Sequence, residues 1–196
     1  MREANTLAGL AAGLSSGKMT AVGLASRFLD DVAHVPAAFI SIDAEKLLEE
    51  ARGSDLRRQN GRPLSILDGV LFAVKDNIDV QGYRTTNGSL LNQAAPLADR
   101  DGPIVARLRT LGLIVAGKTN LSEFAFSGLG LNPHFGTPVL SRHDPARAPG
   151  GSSSGSAIAV AEGLVPLALG TDTAGSLRVP PAFTGTTGYR ASSNAF

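Results

Sequence analysis

Three short apolar runs, "GVLFAVKDN" (residues 69–77), "LIVAG" (113–117) and "PLALGTD" (166–172), are separated by segments of helical periodicity. An apolar run this short, bounded by turn formers, predicts a strand buried on both faces. Such strands need helices to cover them, so the alternation predicts an α/β fold with helices packed on a central sheet. Between the first two runs, "GPIVARLRTLG" reads as a helix capped by Asp101, with Pro103 in its first turn. Between the last two, "SAIAVAEGLV" reads as a helix ending near Gly163, and "NLSEFAF" as a shorter one. Ahead of the sheet, Asn5 or Thr6, Thr20 and Asp43 are candidate caps of three helices; Gly17 would end the first, and "NGRP" (60–63) is a turn. A Gly-, Pro- and His-rich loop spans residues 128–149. No repeat or linker divides the chain, which reads as a single domain or part of one. Residues 1–60 would be its helical segment and residues 61–196 its α/β core.

Charge narrows the function classes. With 18 basic and 17 acidic side chains the net charge is +1, which gives no electrostatic case for nucleic acid or an anionic membrane as partner. Cysteine is absent, so disulfides, thiolate metal sites and a cysteine nucleophile are excluded together. His34, His134 and His143 are scattered without ligand-like spacing, which argues against a histidine zinc site. No apolar run reaches the roughly 18 residues that cross a bilayer. The start, "MREANTLAGLAAGL", has the outline of a signal peptide, but Glu3 and the helical spacing of Leu7, Leu10 and Leu14 fit an amphipathic helix better. The cytoplasm is the expected compartment.

Three catalytic templates can be laid on the chain. "GLIVAGKT" (112–119) satisfies the phosphate-loop pattern letter for letter, yet a helix precedes it and its middle residues look like the strand itself. It reads as a coincidence. "GSSSG" (151–155) fits the hydrolase nucleophile elbow with Ser153 at its centre, but no histidine follows it and a Pro-rich loop precedes it. The third template replaces histidine by lysine. Lys75 lies in an apolar strand, where burial would lower its pKa and make it a base; pairing with Asp76 or Asp79 is the equally open structural reading. In "LGTDTAGSLRVP" (169–180), a strand runs into a turn of small residues and Ser176 then opens a helix. Backbone N–H groups of such a turn can form an oxyanion hole. Ser176 as a plain helix cap is the simpler reading of that stretch alone.

Together, "VKDNIDVQGYRTTNGS", "GKTNLSEFAFSGLG", "GGSSSGS" and "LGTDTAGSLRVP" closely resemble the amidase signature family over nearly the whole chain, with Ser152 and Ser176 the family's 24 residues apart. The resemblance implies a mixed β-sheet covered by helices and a Ser-Ser-Lys triad. It makes Ser176 the nucleophile, Ser152 the proton relay on a cis peptide bond, and Lys75 the base. It further implies oxyanion donors from Thr173, Ala174, Gly175 and Ser176, a supporting Ser153, and a nucleophile turn braced by Asp172 and Arg178. The substrate it implies is a small-molecule amide, with no metal or organic cofactor, and a homodimer is an option for the full-length form.

Some positions depart from the family pattern. Ser154 stands where many members have glycine, and Ala174 where many have the first of two glycines. An A-subunit-like component of a glutamyl-tRNA amidotransferase is an alternative reading, but Val179 stands where such A subunits typically have glutamine, which argues against glutamine as ammonia donor. Similarity to allophanate hydrolases keeps a urea-derived substrate open. The chain stops twenty residues after Ser176, whereas family members continue. It therefore reads as the N-terminal part of an amidase domain, and an inactive fragment is a further alternative.

Overall fold

The computed structural model describes residues 6–140 and 146–192. Asn5, Glu3 and His143 lie outside them, as does part of the loop 128–149. The chain opens with helix α1 (Leu7–Ser15), capped by the Thr6 hydroxyl, and α2 (Ala21–Val32), capped by that of Thr20. After the short strand β1 (Phe39–Ser41) comes α3 (Ala44–Gln59), capped by Asp43. These caps are the ones the sequence indicates: a short polar side chain takes an N–H of the first turn that has no helical partner.

The apolar runs become strands β2 (Leu71–Lys75), β3 (Ile114–Thr119) and β4 (Ala168–Leu169). Helix α4 (Pro103–Thr110) connects β2 to β3, and α5 (Ser154–Ala161) comes between β3 and β4. A last helix, α6 (Val179–Thr184), follows the site. The sheet order is β1-β3-β2-β4, with β2 parallel to β3 and β4, and β1 antiparallel to β3. The expected mixed, helix-covered sheet is therefore present. Strand β1 was not legible in the sequence; three residues carry no periodicity, and it forms because β3 offers it an edge. Phe39 of β1 meets Phe28 of α2 edge to face, their ring centroids 5.3 Å apart, tying the helical segment to the sheet.

Two local expectations are corrected. The N-cap of α4 is Gly102 rather than Asp101. The Asp101 carboxylate is engaged elsewhere, accepting from the Gln81 N–H and pairing with Arg109. "NLSEFAF" forms only a single 3-10 turn (Glu123–Ala125), because Phe124 and Ala125 take positive φ of 51° and 58° and the chain cannot continue as a helix. The phosphate-loop pattern (112–119) does dissolve into the turn after α4 and strand β3.

Because β2, β3 and β4 run parallel, their carboxyl ends lie at one side of the sheet, where α/β folds place ligand chemistry. Lys75, Lys118 and the turn after Leu169 all come from these ends. Helix α5 brings "GGSSSGS" to the same side. Its first turn packs so tightly that a Cβ on Gly155 would lie 2.3 Å from the Ala38 carbonyl oxygen, which only glycine permits. The Gly155 N–H instead donates to the Asn120 carbonyl at 3.0 Å.

Candidate active site

Lys75 ends β2 and is wholly buried. Its Nζ lies 2.7 Å from Ser152 Oγ and 2.8 Å from Thr171 Oγ1. The two open readings of this lysine are thereby separated in space: neither Asp76 nor Asp79 is its partner. Asp76 pairs with Lys118, and Asp79 accepts from the Thr85 hydroxyl. Removed from water and given only hydroxyls to bond, Lys75 is pulled down to about 7; burial is the main cause, and the Asp172 charge partly opposes it.

Ser152, also wholly buried, follows a cis Gly151–Ser152 peptide, and its carbonyl accepts the Ser122 N–H. Ser153 caps α5 by position without a side-chain cap bond; its Oγ donates to the Thr171 carbonyl at 3.3 Å. Buried and turned toward β4, Ser153 is not presented as an elbow nucleophile would be. Ser154 Oγ is buried with no hydrogen-bond partner among the described residues.

Asp172 organises the turn after β4. Its Oδ1 accepts the Gly175 N–H at 2.9 Å and its Oδ2 the Leu177 N–H at 3.0 Å. Arg178 grips both oxygens at 3.0 Å each, while Arg190 stands 3.7 Å away. This grip holds the Asp172 carboxyl well below the ordinary carboxylate range, the Arg178 bond being the largest cause. Gly175 adopts φ of 124°, a conformation open to glycine and costly for other residues, whereas Ala174 has no positive φ.

Two expectations about this turn change. Ser176 does not open the helix: it sits half-buried in the turn, and α6 begins only at Val179, with Pro180 in its first turn. The bonds of Asp172 hold residues 175–177 in turn geometry, and the Arg178 and Val179 N–H groups both close back on the Gly175 carbonyl. The Gly175 N–H, expected among the oxyanion donors, is bonded to Asp172. Thr173, Ala174 and Ser176 keep backbone N–H groups without acceptors among the described residues.

Ser176 opens onto a cleft of about 540 Å³, whose walls include Ile78, Ile104, Leu169, Leu177 and Tyr189. Thr171 and Asn77 belong to the site although sequence reasoning missed them: Asn77 Nδ2 donates to Thr171 Oγ1 at 3.0 Å, beside the Lys75 bond. Their signal was position, since polar residues directly after parallel strands stand where chemistry is expected. No cluster of three or more potential metal ligands occurs among the described residues, and no helix there is long and apolar enough to cross a membrane.

The sequence pattern of the Amidase family matches residues 25–196. The A-type chain of the glutamyl-tRNA(Gln) amidotransferase of Cupriavidus necator is 44% identical over 185 residues, covering 92% of this chain and 36% of its own length. Its counterpart from Symbiobacterium thermophilum is 45% identical over 181 residues, covering 89% and 36%. Among solved structures, the peptide amidase of Stenotrophomonas maltophilia superposes with a TM-score of 0.82 at 34% identity, over 90% of this chain and 38% of that one. The chain thus spans little more than a third of the length of the relatives it matches.

Proposed function

The chain belongs to the Amidase family, and on that premise we propose that it carries the acylating centre of an amide hydrolase. The observation that carries this reading is the buried 2.7 Å bond between Lys75 Nζ and Ser152 Oγ, made by a lysine with no bonded carboxylate among the described residues. A lysine poised at about 7 is divided between amine and ammonium near neutral pH, which suits a group that takes and returns a proton. In its neutral form Lys75 accepts the Ser152 proton while donating to Thr171. Ser152 in turn accepts the proton of Ser176 as Ser176 Oγ attacks the amide carbonyl. The oxyanion that develops is met by the N–H groups of Thr173, Ala174 and Ser176, while Asp172 and Arg178 keep the turn in place. The proton then passes back through Ser152 to the leaving nitrogen; ammonia or an amine departs, and water hydrolyses the acyl-serine. These steps use no metal or organic cofactor, and the cytoplasm is the compartment we assign to them.

The test is covalent labelling. A fluorophosphonate or an activated ester should place one adduct on the wild-type chain and none on Ser176→Ala, read by intact mass and peptide mapping. An adduct that persists on the alanine variant would remove Ser176 from the nucleophile role.

The identity to the A-type chains of amidotransferases favours a second reading, in which the same acyl-serine forms from glutamine and the ammonia is passed to a partner. Against it stands Val179, the apolar first residue of α6, at the position that the resemblance makes typically glutamine in such A subunits. Ammonia release from glutamine, compared with release from simple primary amides, separates the two.

A further inference from the structure

Lys118, on β3, is as deeply buried as Lys75, and the relay described above does not use it. Its Nζ stands 2.7 Å from Asp76 Oδ1, both side chains fully out of solvent. It also donates to the Arg84 carbonyl at 3.1 Å and to Thr85 Oγ1 at 3.2 Å. The other oxygen of Asp76 accepts the Thr86 N–H at 3.0 Å and is in closer contact still with the Thr86 hydroxyl. Asp76 is the next residue after Lys75, so a buried carboxylate lies one residue from the proposed base and yet does not bond to it.

We propose that Lys118 is a positioning residue for the Lys75–Ser152 pair: by holding and neutralising the Asp76 carboxylate, it leaves Lys75 with hydroxyl partners alone. The inference rests on the reading of Lys75 as the base. The charged groups around Lys75 can be named element by element. Strand β3 contributes Lys118, the turn after β4 contributes Asp172, and α5 contributes none. The segment after β2 carries Asp76 and Asp79; the latter acts on Lys118. Asp172 is itself neutralised by Arg178, with Arg190 nearby. Asp76 is thus held by Lys118 and Asp172 by Arg178, while Asp79 accepts from the Thr85 hydroxyl. Without Lys118, the Asp76 charge would stabilise an ammonium on Lys75, and Ser152 would face a proton donor in place of an acceptor.

The titration of Lys75 tests this directly, without turnover. The lysines of the chain are Lys18, Lys46, Lys75 and Lys118, so lysine labelled with 13C at Cε gives a spectrum in which Lys75→Met assigns the Lys75 signal. In Lys118→Met, the Lys75 midpoint should rise by about one pH unit. In the double variant Asp76→Asn/Lys118→Met it should return to the wild-type value, and in Asp76→Asn alone it should not rise. A midpoint unmoved by Lys118→Met, or one that stays raised in the double variant, overturns the proposal. Should Lys118→Met not fold, the double variant and Asp76→Asn decide: a midpoint above wild type in either overturns it. The base reading is judged separately, by the labelling rate of Ser176 in Lys75→Met. An unchanged rate there sinks that reading and leaves the charge balance to the titration alone.

Discussion

Two lysines end neighbouring parallel strands, both wholly buried, and their surroundings differ in kind. Lys118 meets a carboxylate at 2.7 Å, whereas Lys75 meets two hydroxyls at nearly the same distance. Burial lowers both, but only at Lys118 does the paired carboxylate, Asp76, act directly against that cost; at Lys75 the opposing charge is the more distant Asp172. The comparison teaches that burial alone does not make a lysine a base. What decides is whether a carboxylate bonds to it, and here one lysine stands in a buried ion pair while the other meets hydroxyls.

Substituting each lysine should therefore fail in opposite ways. Lys118→Met leaves a buried carboxylate uncompensated and should cost about 3–5 kcal/mol in urea melts. Lys75→Met should change stability far less, yet slow labelling of Ser176 by about 10²–10⁴-fold. Equal losses of stability in both variants would erase the distinction.

The second expected effect concerns pH. Lys75 has a folded pKa of about 7, below the ordinary lysine value of about 10.4, so between these values the unfolded chain binds the proton and the folded chain does not. Stability should therefore rise as pH increases from about 7 toward 10, and this rise should shrink in Lys75→Met. Tyr83, pushed up to about 12 by burial, contributes with the opposite sign only above about pH 10, where the unfolded tyrosine ionises. Melts at fixed ionic strength across this window read the slope, and identical slopes in the two proteins would contradict the depressed lysine.

The smallest effect should come from Thr171→Val, which keeps the shape and removes the acceptor shared by Lys75 and Asn77. A loss of about 1 kcal/mol in stability and about tenfold in labelling rate is expected. A variant that labels at the wild-type rate would show that Ser152 alone orients the amine.

Much of this was legible in the chain itself. Caps such as Thr6, Thr20 and Asp43 act within a few residues, and apolar runs announce strands wherever they lie, because both are local effects of hydrogen bonding and burial. The motifs around Lys75, Ser152 and Ser176 likewise pointed to the family. Sequence alone determined the alternation of strand and helix and the motifs from which the site is built. The residues around Lys75 alone could not decide whom it bonds. Asp76 is its neighbour in the chain, while Ser152 lies 77 residues away, and only the packing of α5 on the parallel sheet brings that serine within 2.7 Å. Nor could sequence alone show that the Gly175 N–H turns to Asp172, or that Ser176 precedes its helix by three residues. Those outcomes belong to the tertiary structure, because a buried polar group takes the partner that folding places beside it.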